Sequence, residues 1–121
     1  MIDVLPDFPS AVVAFASRGR VTRADYQKVL EPVVEAAMRQ PRKIRVYYEI
    51  GADFAGFDAG AVWEDFKVGI GHFARWERIA VVTDNAWIRR VSQVAGAVVP
   101  ADVRVFSTSE RASARDWIIA P

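Results

Sequence analysis

The sequence predicts an α/β fold: one domain over residues 1–121, built on a mixed, largely parallel sheet of four to five strands with about four helices. The predicted order is β-β-α-β-α-β-α-β-α. Three observations carry this. Short β-branched runs alternate with segments whose apolar residues recur at helical spacing. Alternation of that kind implies right-handed crossovers between parallel strands. The first two apolar runs are close enough to pair as a hairpin, which makes the sheet mixed. No repeat, low-complexity segment or long linker divides the chain.

Ile2 to Leu5 reads as an edge strand ended by Pro6 and Pro9. Ala11 to Ser17 reads as a buried strand, after which Arg18-Gly19-Arg20 is expected to turn the chain. Thr22 opens the first helix, with Asp25 three residues later as its capping-box partner. Tyr26, Val29, Leu30, Val33 and Ala37 form one apolar stripe. Pro32 cannot donate to the Lys28 carbonyl, so a kink or broken turn is expected there.

Ile44 to Ile50 is the next strand. Ile44, Val46, Tyr48 and Ile50 face one way, and Arg45, Tyr47 and Glu49 the other. A strand covered on both faces should read as continuously apolar. One sheet face is therefore expected to be partly uncovered or to contact a partner. Gly51 to Phe57 reads as a loop, and Asp58 as the N-cap of a second helix reaching about Phe73. Val62, Trp63, Phe66, Ile70 and Phe73 form the wide apolar stripe of that helix. Ile79 to Thr83 reads as the most central strand. Asp84 and Asn85 cap a third helix that ends near Gly96. Val103 to Ser107 is the last strand, marked as an edge by Arg104. Ser107 and Glu110 are spaced as a capping box before the final helix.

Composition excludes more than it selects. Lys plus Arg total 16 against 15 Asp plus Glu, a formal net charge of +1, which argues against a nucleic-acid binder. There is no cysteine, hence no disulfide, thiol chemistry or thiolate metal site. The longest apolar run, Ala11 to Ala16, is far short of the roughly 20 residues that span a bilayer. The N-terminus lacks the pattern of a signal peptide, so cytoplasmic residence is the default expectation.

Four segments, taken in order, resemble the SpoIIAA-like family. They are Gly19-Arg20-Val21-Thr22 through Asp25-Tyr26, Trp63-Glu64-Asp65-Phe66-Lys67, Arg78-Ile79-Ala80-Val81-Val82-Thr83-Asp84, and Val103-Arg104-Val105-Phe106 through Ala114-Arg115-Asp116-Trp117. That family is grouped with the STAS and CRAL-TRIO-like folds. The resemblance implies a four- to five-stranded mixed sheet wound as a β-α superhelix. Its anti-anti-sigma members switch by phosphorylation of a Ser or Thr at the start of the helix after the third strand. Gly51 to Ala59 occupies that place here and contains no Ser or Thr, so that switch is not carried over.

Catalytic groups are sparse. His72 is the only imidazole and sits at a helix end, where a protonated ring favours the dipole. Glu64 and Asp65 are adjacent on a helix, so they point apart and are read as solvated surface groups. Gly69-Ile70-Gly71 lacks the third glycine of a dinucleotide-binding loop. The run Arg39, Arg42, Lys43 and Arg45 is explained by a helix C-terminus, with an anionic partner as the alternative. No catalytic residue, metal site or cofactor is expected.

Aromatic residues are concentrated around the second helix. Core packing is the leading reading, with a ligand cleft or an association surface as alternatives. The candidate binding residues are Phe54, Phe57, Asp58, Trp63, Asp84 and Trp87, on loops expected to open at one sheet edge. The expected function is a non-enzymatic interaction module. Its partner would be a second copy of the chain or another protein. The alternative is a carrier or sensor of a small apolar, lipid-like ligand.

Overall fold

The computed structural model describes residues 1–71 and 73–121, with the side chains of residues 66, 69, 70 and 73 left out. The expectations resting on His72 and on the Phe66, Ile70 and Phe73 side chains lie outside what is described, and Gly69-Ile70-Gly71 is the end of a helix. Five strands form one sheet in the order β1-β2-β3-β4-β5: β1 (Ile2–Val4), β2 (Val12–Val21), β3 (Ile44–Phe57), β4 (Trp76–Thr83) and β5 (Asp102–Phe106). β1 pairs antiparallel with β2, and every later pair is parallel. The mixed sheet and the element order are those expected. The central strand is β3, flanked by β2 and β4, whereas Ile79 to Thr83 had read as most central.

Two predicted breaks are not breaks. Arg18-Gly19-Arg20 does not turn the chain, because β2 continues to Val21. Gly19 adopts φ +57° where the register against β3 shifts. The extra length lies in β3, which runs from Ile50 to Phe57 against Ser17 to Val21 of β2. Gly19, with no Cβ, lets β2 bend to follow, and the strand carries on. Gly51 to Phe57 is likewise strand rather than loop, since Phe54, Gly56 and Phe57 pair with Gly19, Arg20 and Val21. Strand pairing overrides the local turn signals in both places.

The first predicted helix has three parts: α1 (Arg23–Asp25), a π-helical turn over Tyr26–Leu30, and α2 (Glu31–Met38). Thr22 and Asp25 form the expected capping box. The Pro32 disturbance takes the form of the π turn, in which the Glu31 amide donates to the Tyr26 carbonyl. Then follow α3 (Ala59–Gly71), α4 (Ala86–Gly96) and α5 (Arg111–Ile119). α5 is preceded by the Ser107–Glu110 capping box. Asn85, not Asp84, caps α4 through a 3.1 Å bond from the Ile88 amide.

The strands follow one another across the sheet in chain order. Right-handed crossovers therefore place α2, α3 and α4 on the same face. The core of that face contains Val13, Phe15, Tyr26, Leu30, Val34 and Ile44. The opposite face is covered by α5, whose Ala114 and Ile118 pack on Val12, Ala14, Tyr47, Ala80 and Val82. The polar alternation of β3 thus has a specific cause. Arg45, Tyr47 and Glu49 lie on the α5 face, and Tyr47 is only 3% exposed there.

Arg45 explains how such a polar face can be closed. Its Nη1 donates to the carbonyls of Ile118 (2.8 Å) and Ala120 (2.6 Å), and its Nε meets Glu77 at 2.5 Å. Arg78, paired with Arg45 in the β3–β4 register, donates to the carbonyls of Trp117 (3.0 Å) and Ala120 (2.8 Å). Two guanidinium groups thus satisfy the open carbonyls of the α5 C-terminus and oppose its dipole. Arg45→Met keeps the stem and removes the donors. It is expected to cost about 2–3 kcal/mol, the worth of lost hydrogen bonds to a charged group, as measured by urea unfolding. An unchanged midpoint would show that α5 is held by its apolar face alone.

Candidate functional site

The six sequence candidates divide three ways. Phe54 and Phe57, near the end of β3, have ring centroids 4.8 Å apart and pack against the core under the first face. Asp58 and Asp84 are held by internal partners. The Asp58 carboxylate pairs with Arg20, while its amide donates to the Val21 carbonyl at 2.8 Å. Asp84 accepts from the Thr108 amide at 2.9 Å and from the Thr108 hydroxyl, bonds that hold its carboxyl below the usual range. Asp84 therefore ties the start of α4 to the start of α5. Trp63 on α3 and Trp87 on α4 differ from the other four in being exposed, at 51% and 72%. Core packing does not account for these two rings.

α4 shows why Trp87 is outside. Ile88, Arg89, Ser92 and Gly96 are its half-buried positions. A Cβ on Gly96 would stand 3.0 Å from the Val103 Cβ, so the helix approaches β5 closely at that glycine. Three of its apolar side chains, Trp87, Val91 and Val94, continue into Val98 at i, i+4, i+7 and i+11. They are 72%, 46%, 64% and 72% exposed. The apolar stripe is turned aside from the packing face. Val62 on α3, 56% exposed, adds to the uncovered apolar surface on the same side of the sheet.

Sequence reasoning missed a polar network under the first face. The Ser17 hydroxyl, fully buried, donates to the Tyr48 hydroxyl at 2.6 Å. The Tyr48 and Tyr26 hydroxyls are 3.4 Å apart, and the Tyr26 hydroxyl donates to Asp65 at 3.0 Å. Burial pushes the Tyr48 hydroxyl up to about 12 and raises that of Tyr26 further. Asp65 is exposed as a residue, with its carboxyl turned towards the buried Tyr26 hydroxyl. Desolvation of that carboxyl raises its pKa, against the lowering effect of the Tyr26 bond.

Of the adjacent pair, Glu64 is not the solvated surface group expected. It is 2% exposed, with Lys67 Nζ at 3.0 Å and Arg23 Nε at 3.5 Å. Beside it, burial and the Glu64 charge raise the pKa of Glu31, whose Oε2 is buried without a partner. The signal for the network was available. Three hydroxyls (Ser17, Tyr26 and Tyr48) sit at positions whose neighbours in the pattern are apolar, and buried hydroxyls need partners. Among the described residues, no group of His, Asp and Glu side chains is arranged to hold a metal ion.

The fold and the family agree. A family model for SpoIIAA-like proteins matches residues 12–119, so the chain belongs to the SpoIIAA-like family. The chain is also similar to the crystal structure of an uncharacterized protein with a SpoIIAA-like fold from Shewanella loihica PV-4. That match has a TM-score of 0.77 at 22% identity, covering 97% of this chain and 93% of the other. No functionally curated protein matches the sequence.

Asp65 gives a signed pH dependence. Its folded pKa lies above the ordinary 3.8, so the folded state holds the proton more tightly than the unfolded state does. Stability then falls as pH rises from 3.8 towards the folded pKa, and levels off above it. Asp65→Asn should lose that part of the fall and exceed the wild type in stability at neutral pH. Tyr26→Phe removes the donor to the carboxylate and should steepen the fall. Urea midpoints measured across the acid range for the three proteins test this. Parallel curves would mean that Asp65 is solvated.

Proposed function

We propose that the chain is a non-enzymatic interaction module that binds protein through the apolar stripe of α4. The observation that carries this reading is the α4 stripe of Trp87, Val91, Val94 and Val98, turned away from the core. A contiguous apolar patch with a tryptophan in it is the usual mark of an association surface. Ile88, Ser92 and Gly96 lie on the half-buried side of the helix, and the exposed Trp87, Val91 and Val94 are spare to that packing, which favours a surface kept for binding. A non-enzymatic role is further supported by the state of the polar groups. Ser17 is buried and committed to Tyr48, and Asp58 and Asp84 are committed to Arg20 and Thr108.

The simplest occupant is a second copy of the chain, with α4 packed on its equivalent. Light scattering over a concentration series should show a dimer, and Trp87→Asp or Val94→Asp should give a monomer with an unchanged circular dichroism spectrum. A wild-type monomer at all concentrations, with no protein cross-linked to a photoreactive group at position 87, would remove the reading. A retained mass that extracts into organic solvent, seen by native mass spectrometry, would favour the alternative carrier of a small apolar ligand.

A further inference from the structure

The α5 face carries a groove that is separate from the α4 surface. It has a volume of about 360 Å³ and opens between the β1–β2 connection, β3 and the start of α5. This lies within the range of roughly 300–1,000 Å³ typical of small-molecule sites. Its lining includes the apolar side chains of Leu5, Phe8 and Tyr47. The Phe8 and Tyr47 ring centroids are 5.1 Å apart. Asp7, Glu49, Arg111 and Arg115 add four charged groups to the lining.

Internal pairing removes two of those four charges. Glu49 accepts from the Tyr47 hydroxyl at 2.9 Å and from Arg111 Nε at 3.0 Å, both on the same oxygen. Arg115 and Asp7 remain. The Arg115 guanidinium lies 4.2 Å from the Phe8 ring centroid and donates to the Asp7 carbonyl. Neither the guanidinium nor the Asp7 carboxylate has an ion-pair partner among the described residues. Asp7 also holds φ +68°, a left-handed conformation unusual for a residue with a side chain. The bond from Arg115 pins that backbone. Strain of this kind gathers at ligand sites, where it sets a group in place before binding.

An apolar, aromatic wall with one unused cation and one unused anion at its edge is complementary to a molecule that carries the same three features. We propose that this groove binds a small amphipathic zwitterion, a free α-amino acid with an apolar side chain. Its carboxylate meets Arg115, its ammonium meets Asp7, and its side chain lies against Phe8 and Leu5. Arg115 has five N–H donors, and the bond to Asp7 occupies one, so a fork remains for a carboxylate.

Amide NMR titrations with L-phenylalanine, phenylpropanoate and phenethylamine test the proposal, because the last two each lack one of the charges. L-phenylalanine should give saturable shifts at Phe8, Tyr47 and Arg115. Each analogue should bind about tenfold more weakly, the effect of losing one charge-assisted contact. Asn tolerates the left-handed conformation, so Asp7→Asn should remain folded and bind L-phenylalanine about as weakly as the wild type binds phenylpropanoate. Urea unfolding of that variant verifies its fold. Absence of saturable shifts, equal binding of all three compounds, or full affinity in Asp7→Asn would overturn the proposal.

Discussion

The closure of the second sheet face by Arg45 and Arg78 is the constraint on which much else depends. Three crossover helices lie on one face, so α5 has the other face to cover and is only nine residues long. A helix this short is unstable alone and depends on tertiary packing. Ala114 and Ile118 supply its apolar contact, while the two arginines take up the carbonyls at its C-terminus. Their positions in register on neighbouring strands set the guanidinium groups side by side beneath that terminus. Trp117 completes the arrangement, with Arg104 4.7 Å and Arg78 5.7 Å from its ring centroids. The polar alternation that suggested an uncovered face is therefore the means of covering it.

The first face solves a different problem. Its helices bury a core that includes Tyr26 and touches Tyr48, so hydroxyl groups are carried into apolar surroundings. Left unpaired, each would cost about 1–3 kcal/mol. The chain from Ser17 through the two tyrosines to Asp65 satisfies them in sequence, and the π turn places Tyr26 within reach of α3. Further along the same face, α4 is seated by Gly96 against Val103, which leaves Trp87, Val91 and Val94 without a place in the core. Both features have one origin: in this sheet, helix position is set by close backbone approach and by polar partners as much as by apolar area.

Legibility followed the range of the interactions. Both capping boxes, Thr22–Asp25 and Ser107–Glu110, involve residues three apart and were readable from spacing. So were the strand–helix alternation and the disturbance at Pro32. The two false breaks, at Gly19 and at Gly51 to Phe57, came from glycine signals that pairing between β2 and β3 overrode. In the candidate site, Trp63 and Trp87 were found as aromatic residues out of proportion to one helix stripe. Asp58 and Asp84 stood at the right places, but Arg20 and Thr108 are 38 and 24 residues away from them, so their engagement was invisible.

Sequence by itself determined the fold class, the order of elements and the lack of cysteine chemistry, because these rest on local periodicity and on residue types that are present or absent. Tertiary structure alone decided which apolar residues stay outside, which carboxyls are held and which remain available. A helix of given sequence can present any side to a sheet, and the contact between Gly96 and Val103 selects the side that leaves Trp87 exposed. Likewise, charges near one another in sequence share no fate. Glu49 is neutralised from α5, whereas Asp7 and Arg115, brought together from opposite ends of the chain, remain without ion-pair partners among the described residues.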